Sequence, residues 1–285
     1  MKHFIFSIAF LFLTSAAICE DGKPAFEKDV IYGKTSGVEL KMDLARPATG
    51  KGPFPCVVCI HGGGWRAGNK SGYDGLIQAL AKEGYVAATV EYRFCPQFKF
   101  PAQVEDVKCA VRYLRAHAVE LKINPEKFGA YGESAGGHLS LMLGLMNKED
   151  GLEGDGGCPE QSSKVQVVVN YFGPGDFTVP GDYSIIGRNL VKDFLGTEDA
   201  ASELAKKASP STYIDKSDAP VLTFHGSIDP LVPVEMSKRL HELLKKASVE
   251  EKLEVLDGKS HGWGGPDKDR TIKQSLEFFN KHLKN

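Results

Sequence analysis

The feature that most constrains this chain is the sequence Gly-Glu-Ser-Ala-Gly-Gly at residues 132–137. A short apolar stretch, residues 128–131, precedes it, and a longer one, residues 138–146, follows it. Gly-x-Ser-x-Gly between a buried strand and a buried helix is typical of a sharp turn that lifts the serine hydroxyl clear of a sheet edge. Small residues let the flanking chains pass close to such a turn. By itself, the pentapeptide is equally consistent with a glycine-rich turn that carries an ordinary serine.

The rest of the chain alternates strand and helix patterns around this turn. Residues 38–44 alternate apolar and polar side chains, which predicts a half-exposed antiparallel strand. Residues 56–60 are apolar throughout, as in a strand covered on both faces, and 86–90 is the next buried strand candidate. Further strand candidates lie at 128–131, 165–169, 221–224 and 253–256. Helical periodicity occurs at 73–83, 101–121, 233–247 and 268–283. The sequence therefore predicts an α/β fold: a mostly parallel sheet with helices on both faces and one antiparallel N-terminal strand region.

The connection over residues 173–219 is long for two adjacent elements of such a sheet. It is rich in glycine up to Gly187 and partly helical after that residue. We interpret it as an insertion over the strand ends, which makes it a candidate lid or specificity wall. The alternative is an extra packed helix that makes no contact with a ligand.

Residues 1–19 have the organisation of a secretory signal peptide. A basic start precedes an apolar run at 4–13, and small residues close the segment. The run is too short to span a bilayer, so we expect no stable membrane insertion. Secreted or periplasmic localisation is predicted, with residues 20–285 as a single domain. Acylation of Cys19, as in a lipoprotein, is the weaker alternative because bulky Ile18 precedes the cysteine.

Charge and cysteine content exclude several classes of partner and cofactor. The formal net charge is −2 and no basic block is present, so neither nucleic acid nor an anionic membrane is an expected partner. No cysteine spacing fits a zinc site, and no metal or other cofactor is predicted. The cysteines beyond the signal segment are Cys56, Cys59, Cys95, Cys109 and Cys158. Their number is odd, so at least one thiol is free or pairs between chains.

Pairing among these cysteines is partly decided by geometry. Cys56 and Cys59 lie on one predicted strand and point to opposite faces, so they cannot bridge each other. A Cys95–Cys109 bridge is conceivable from the sequence. Buried free cysteine is the default expectation for the set.

A serine nucleophile needs a base, and the base needs an orienting carboxylate. Active groups of parallel sheets gather at the carboxyl ends of the strands. Asp229 follows the predicted strand at 221–224, and His261 follows the one at 253–256. The order Ser134, Asp229, His261 therefore predicts a serine hydrolase triad, with His261 as base and Asp229 holding its tautomer.

Four other titratable residues bear on this assignment. Asp257 is the rival acid, but it precedes His261 on the same connection, which makes an opposed geometry harder. His138 is expected to pack on the helix after the elbow. His225 is expected to bond backbone in its turn, and His117 lies among helix residues.

The negative oxygen of a tetrahedral intermediate needs hydrogen-bond donors. His-Gly-Gly-Gly-Trp at 61–65 follows an early strand, where the second part of such an oxyanion hole belongs. Glycines there let backbone N–H groups approach a substrate closely. We therefore predict Gly63, Gly64 and Ala135 as the donors. A glycine triplet alone usually indicates only a loop. Together with the later Gly-x-Ser-x-Gly motif, it indicates an oxyanion hole.

Taken together, these motifs resemble the esterase and lipase branch of the α/β-hydrolase superfamily. Residues 61–65 and 132–137 are similar to the paired motifs of hormone-sensitive-lipase-like carboxylesterases. Residues 225–233 and 260–262 resemble the acid and histidine loops of that family. The sequence from 61 onward is closer still to a secreted bacterial group that is feruloyl- or acetylxylan-esterase-like. The resemblance covers roughly residues 30–283.

One departure from that family bears on the substrate. Hormone-sensitive-lipase-like enzymes usually carry an N-terminal helical cap, whereas residues 30–46 here have a strand pattern. The resemblance therefore implies a more open site and a short acyl group rather than a long-chain lipid. Together with export, it implies acetyl or feruloyl groups on a polysaccharide as substrates, a step that rests on analogy.

Three functions are consistent with these observations. The leading hypothesis is a secreted serine carboxylester hydrolase that works through an acyl-enzyme. The second is a serine peptidase of the prolyl oligopeptidase type, which shares the fold and triad order but usually carries a large extra domain. The third is a non-catalytic binding protein on the same fold, which loss of a triad residue would indicate.

Overall fold

The computed structural model describes residues 22–179 and 183–285. The predicted signal peptide, residues 1–19, lies outside this part of the chain, so export stays a prediction. Among the described helices, none is long and apolar enough to cross a bilayer. Nor do three His, Cys, Asp or Glu side chains of the described residues converge as metal ligands would.

The strands of the described chain form one eight-stranded sheet in the order β1-β2-β4-β3-β5-β6-β7-β8. Their bounds are β1 (Ala25–Thr35), β2 (Val38–Arg46), β3 (Phe54–Ile60), β4 (Val86–Val90), β5 (Ile123–Glu133), β6 (Val167–Tyr171), β7 (Val221–Gly226) and β8 (Glu251–Leu256). β1 pairs antiparallel with β2, and β2 pairs antiparallel with β4. The other neighbouring strands pair in parallel. The predicted fold class, a mostly parallel sheet with an antiparallel N-terminal region, is confirmed.

The strands β3 to β8 alternate with helices along the chain. The helices are α1 (Asp74–Lys82), α2 (Ala102–Ala116), α3 (Ala118–Leu121), α4 (Ala135–Leu145), α5 (Ile185–Leu195), α6 (Glu203–Ala208), α7 (Val234–Lys246) and α8 (Pro266–Leu283). α5 and α6 belong to the predicted insertion at 173–219. α2 ends at Ala116, five residues before the predicted helix does, because the chain turns at His117 before the short α3.

Two predicted strand boundaries need correction. The antiparallel region is a hairpin of β1 and β2 rather than a single strand at 38–44. β6 begins at Val167, whereas the apolar pattern predicts a start at Val165. Before β6, Gln166 bonds Phe128 twice: its N–H donates to the carbonyl oxygen at 2.7 Å, and its side-chain oxygen accepts from the N–H at 2.9 Å.

The sheet separates two apolar cores, one on each face. Along β3, Cys56, Val58 and Ile60 face one core, and Val57 and Cys59 face the other. The prediction that Cys56 and Cys59 point to opposite faces is therefore confirmed. A strand flanked by two cores has no solvated face, which explains why β3 is apolar throughout.

All five cysteines of the described chain are free. The conceivable bridge between Cys95 and Cys109 does not form. Both thiols are buried, and burial raises the pKa of each to about 11. The fold therefore uses these side chains as small apolar groups.

The parallel strands bring distant segments together at one edge of the sheet. β3, β5, β7 and β8 run in the same direction, so the residues that follow them emerge on the same side. These residues are the glycine loop at 61–65, the elbow, the Asp229 loop and the His261 loop. The fold thus brings to one edge the four segments that the sequence motifs singled out.

Candidate active site

The elbow joins β5 to α4 with a strained residue at its centre. Ser134 has φ 55° and ψ −120°, a conformation that residues with a side chain rarely adopt. Its N–H donates to the carbonyl oxygen of Tyr171 at 2.8 Å, which ties the turn to β6. A Cβ atom at Gly136 would lie 1.9 Å from the carbonyl oxygen of Ile60, and one at Gly132 would lie 2.1 Å from that of Gly136. Only glycine fits these two positions, as the motif predicts.

The three side chains of the predicted triad form a continuous hydrogen-bonded array. His261 Nε2 lies 2.9 Å from Ser134 Oγ, and His261 Nδ1 lies 2.7 Å from Asp229 Oδ2. A carboxylate oxygen only accepts, so Nδ1 carries the proton and Nε2 accepts from the serine hydroxyl. We call these residues the Ser–His–Asp array. The geometry is the one that a base-activated serine requires.

Asp229 is held as a carboxylate in a buried position. Its side chain is fully buried, and Oδ1 accepts from the N–H groups of Leu231 at 2.8 Å and Val232 at 3.0 Å. Burial raises the pKa of Asp229, but hydrogen bonds from His225, His261 and Val232 outweigh it and hold the pKa well below its usual range. The carboxylate is therefore ionised whenever His261 is neutral and able to act as a base.

His225 is a partner of Asp229 that the sequence did not reveal. Its Nε2 lies 2.9 Å from the carbonyl oxygen of Val232, as expected for a backbone bond, and 3.3 Å from Asp229 Oδ2. Since both partners accept, Nε2 carries the proton and Nδ1 accepts from the Ser237 hydroxyl at 2.7 Å. The only sequence signal for this role was the spacing of four residues between the two side chains.

The rival acid, Asp257, lies outside the array. It is exposed, and its Oδ1 accepts from the Ser227 hydroxyl at 3.3 Å. The structure thus brings Asp229, and not Asp257, to His261.

Aromatic side chains fix the His261 loop. Phe172 packs against the imidazole with ring centroids 4.6 Å apart. Trp263 stacks on Tyr171 at 5.8 Å, and its indole N–H donates to Thr271 of α8 at 3.2 Å. No sequence pattern indicates these contacts, because they join residues from β6, the loop and α8.

The residue before the serine anchors the other side of the elbow. Glu133 pairs with Lys268 of α8 and accepts from the Tyr131 hydroxyl at 2.9 Å. The Lys268 ammonium also lies 4.8 Å from the ring centroid of Tyr171. The elbow and the His261 loop are thus attached to the same helix.

The glycine loop at 61–65 has its carbonyl oxygens engaged by donors of the chain. The Tyr92 hydroxyl donates to the carbonyl oxygen of His61 at 2.9 Å, and the N–H of Ala67 donates to that of Gly63 at 3.1 Å. In residues 22–179 and 183–285, no acceptor bonds the N–H groups of Gly63 and Gly64. These N–H groups are therefore available to donate hydrogen bonds to a ligand.

Ala135 supplies a third N–H at the start of α4. The first bond of that helix runs from the N–H of His138 to the carbonyl oxygen of Ser134 at 3.0 Å. Ala135 therefore lies among the residues whose N–H has no intrahelical acceptor. The positive end of the helix favours negative charge beside the serine. Gly62 was not predicted, yet a Cβ there would lie 2.9 Å from the carbonyl oxygen of Glu133, so this glycine lets the loop contact the elbow.

His138 is a packed residue of α4, the helix after the elbow, as predicted. It also links distant segments. It is fully buried, and burial lowers its pKa to about 4. The Trp65 indole donates to its Nδ1 at 3.2 Å, and its Nε2 donates to the carbonyl oxygen of Ala208 at 2.8 Å. His117 closes α2, with its Nδ1 2.9 Å from the carbonyl oxygen of Tyr113, in keeping with its place among helix residues.

The insertion at 173–219 borders a small cavity that opens onto Ser134. The cavity has a volume of about 20 Å³, room for one group the size of a water molecule. Its walls come from the glycine loop, the Asp229 loop and the insertion, and comprise Gly64, Trp65, Pro174, Tyr183, Gly187, Leu190, Val191, Leu231 and Val232. α5 therefore lies against the site, which favours the specificity-wall interpretation over a helix remote from any ligand.

The fold and the order of these groups define an α/β-hydrolase, with the serine after β5, the acid after β7 and the histidine after β8. Within that class, the BD-FAE profile matches residues 42–244, more than half of the chain. The chain belongs to the BD-FAE family.

Known relatives are named as esterases. The probable carboxylic ester hydrolase LipM of Mycobacterium tuberculosis is 30% identical over 232 residues, which cover 79% of this chain and 53% of LipM. Esterase LipC of the same organism is 32% identical and covers 77% of this chain and 55% of LipC. The chain thus spans about half the length of the curated relatives it matches.

Among solved structures, a truncated carbohydrate esterase from gut microbiota is similar with a TM-score of 0.80. The two are 28% identical, and the match covers 93% of this chain and 99% of that one. Its similarity to this chain extends over nearly the whole of both molecules.

Proposed function

We propose that the chain is a serine carboxylester hydrolase in which Ser134 is the nucleophile, His261 the general base and Asp229 the residue that orients the base. The observation that carries this proposal is the Ser–His–Asp array, with its contacts of 2.9 and 2.7 Å. Membership of the BD-FAE family and the names of the relatives support the ester as the bond that is cleaved.

In the acylation step, His261 Nε2 takes the proton of the Ser134 hydroxyl while Oγ attacks the ester carbonyl carbon. The imidazolium then gives this proton to the leaving alcohol as the ester C–O bond breaks. Asp229 stabilises the charged imidazole but keeps its own charge. In the deacylation step, water attacks the acyl-enzyme with His261 again as base, and the carboxylic acid is released.

The N–H groups of Gly63, Gly64 and Ala135 are proposed to bind the negative oxygen of the tetrahedral intermediates. Their availability and the adjacent end of α4 support this role. Donors of this kind typically contribute a factor of about 10²–10³ each to turnover.

A short acyl group is the proposed substrate feature. The cavity beside Ser134, at about 20 Å³, supports an acetyl group rather than a long chain. The carbohydrate esterase among the structural neighbours supports a sugar or polysaccharide as the alcohol. Acetyl esters of polysaccharides are therefore the proposed natural substrates, with export through the signal peptide at residues 1–19. Feruloyl esters are the alternative, and their large acyl group would have to lie outside this cavity.

Hydrolysis of p-nitrophenyl acetate by the protein tests this function. Ser134→Ala should lower kcat by a factor on the order of 10⁶, as loss of such a nucleophile does. Ser140→Ala is a matched control on α4, because the buried Ser140 hydroxyl has no partner in the described chain. Its loss should leave kcat near that of the parent.

The outcomes separate the alternatives. Activity on acetate that Ser134→Ala abolishes and Ser140→Ala retains supports the mechanism. Activity that survives in Ser134→Ala contradicts it. A folded protein that cleaves no ester would favour the peptidase or the binding protein, and peptide substrates would distinguish those two. Release of acetate from acetylated xylan, or of ferulate from feruloylated xylan, then tests the natural substrate.

A further inference from the structure

Behind the small cavity at Ser134 lies a larger chamber that no step of the proposed reaction uses. It has a volume of about 620 Å³ and lies within the insertion. Apolar side chains form much of its lining, among them Phe177, Val179 and Leu195. It therefore has room for many more atoms than the space beside the serine.

Two side chains line both spaces. Tyr183 and Val191 contact the small cavity on one side and the chamber on the other. A third residue, Leu190, closes the small cavity against the glycine loop. A Cβ at Gly64 would lie only 2.6 Å from Leu190 Cδ2. The insertion thus provides the boundary between the two spaces, and this boundary touches the predicted oxyanion loop.

The Tyr183 side of this boundary is held in place. Its hydroxyl donates to Met236 Sδ of α7 at 3.1 Å. A Cβ at Gly187 would lie 3.1 Å from the Tyr183 ring, so the ring packs closely over the first turn of α5. Val191 makes no such bond, and its side chain is the smallest of the three that form the boundary. Val191 is therefore the position where a small substitution can join the two spaces.

We infer that Val191 and Tyr183 are specificity-determining residues that limit the acyl group by separating the cavity at Ser134 from the apolar chamber. This inference rests on the proposed function, since it concerns the acyl group of the same reaction. With the boundary intact, the methyl of an acetyl group fills the cavity. With the boundary opened, a longer acyl chain extends into the chamber and gains apolar contact there.

The experiment compares p-nitrophenyl acetate with p-nitrophenyl butyrate, so that only the acyl group changes. Each additional buried methylene is worth about a factor of four in binding. Val191→Ala should therefore raise the butyrate-to-acetate ratio of kcat/KM by a factor on the order of ten. Tyr183→Leu opens the same boundary from its other side. It is the second test variant and replaces Val191→Ala if that protein does not fold.

Two controls isolate the boundary from other effects. Val179→Ala makes the same substitution at a residue that lines the chamber alone. Its ratio should match that of the parent, because the acyl group cannot reach the chamber through an intact boundary. Val191→Thr keeps the volume of valine and should also leave the ratio unchanged.

The outcomes are as follows. A ratio that rises in Val191→Ala and in neither control supports the inference. An unchanged ratio in an active Val191→Ala protein overturns it, and so does an equal rise in Val179→Ala. A parent protein that cleaves neither ester, or an active Ser134→Ala, instead contradicts the proposed function on which the inference rests.

Discussion

Replacement of His225 by leucine tests how the acid of the array is held. His225 is fully buried, with Nε2 3.3 Å from Asp229 Oδ2 and 2.9 Å from the carbonyl oxygen of Val232. Leucine keeps most of the bulk and removes the Nε2–H donor that faces both Asp229 and the carbonyl oxygen of Val232. It also leaves the Ser237 hydroxyl without its acceptor. The substitution therefore changes the hydrogen bonding of Asp229 without touching Ser134 or His261.

The expected loss follows from the bonds that remain. A hydrogen bond to a charged group is worth about 1.5–3 kcal/mol. At 3.3 Å the contact from His225 is long for such a bond. Asp229 also keeps His261 and the N–H groups of Leu231 and Val232. We therefore expect the lower end of the range, about 1.5 kcal/mol, as the loss of stability. The fall in kcat should be at most about tenfold, because a less firmly held Asp229 orients His261 less well.

The pH dependence gives a signature that a general loss of structure would not give. In the variant, the Asp229 carboxylate accepts fewer hydrogen bonds, so its negative charge attracts the His261 imidazolium more strongly. The acid limb of kcat/KM should then move to higher pH. KM should change little, because His225 does not line the cavity at Ser134.

The stability of the variant should depend on pH in a definite direction. Burial raises the pKa of Asp229, but its hydrogen bonds hold it below the unfolded value of about 3.9. The ionised carboxylate therefore stabilises the fold above about pH 4, and this stabilisation is lost as pH falls through the lower folded pKa. His225→Leu should raise the folded pKa toward the unfolded one. The destabilisation should be largest near neutral pH and should shrink in acid.

Steady-state kinetics from pH 5 to 9 and thermal melts at several pH values measure these effects. His117→Leu makes the same substitution at the end of α2, away from the array, and should leave the acid limb in place. The reasoning is refuted if His225→Leu keeps the parent kcat and acid limb. It is also refuted if His117→Leu shifts that limb equally.

Three further predictions concern the elbow, the acid and the thiols. Gly136→Ala should lower the melting temperature sharply in a thermal scan, because its Cβ would lie 1.9 Å from the carbonyl oxygen of Ile60. Asp229→Asn should lower kcat by about 10⁴-fold, whereas Asp257→Asn should change it little; equal losses would exclude the assignment of the acid. In the native protein without residues 1–21, a thiol reagent should modify Cys158 alone, since the other four thiols are buried. After denaturation, the reagent should modify all five thiols.

The strand and helix patterns were sufficient for the fold because the central strands are mainly apolar on both faces. Residues 56–60 and 86–90 show this directly, and both fall within observed strands. Chain order then predicted which loops meet, since parallel strands end at one edge. The meeting of Ser134, Asp229 and His261 follows from that rule, and the structure brings these three side chains together.

What the sequence could not predict depends on packing between segments that lie far apart in the chain. The second donor to Asp229 and the stacking of Trp263 on Tyr171 belong to this group. So do Tyr183 and Val191, whose role is visible only once α5 lies beside the elbow. A periodic pattern reports which face of an element is buried, but not which side chain of another element it meets.

Whether the insertion acts as a wall or as a hinged lid can be argued from its attachments. Phe194 of α5 stacks on Trp65 with ring centroids 4.3 Å apart, and its carbonyl oxygen accepts from the N–H of Phe100 at 2.9 Å. Further along, the carbonyl oxygen of Ala208 accepts from His138 on the elbow helix. An opening motion would break these buried contacts and leave polar groups unpaired, each at about 1–3 kcal/mol. We therefore expect discrimination between substrates to rest on the side chains that α5 presents to the cavity rather than on closure of a lid.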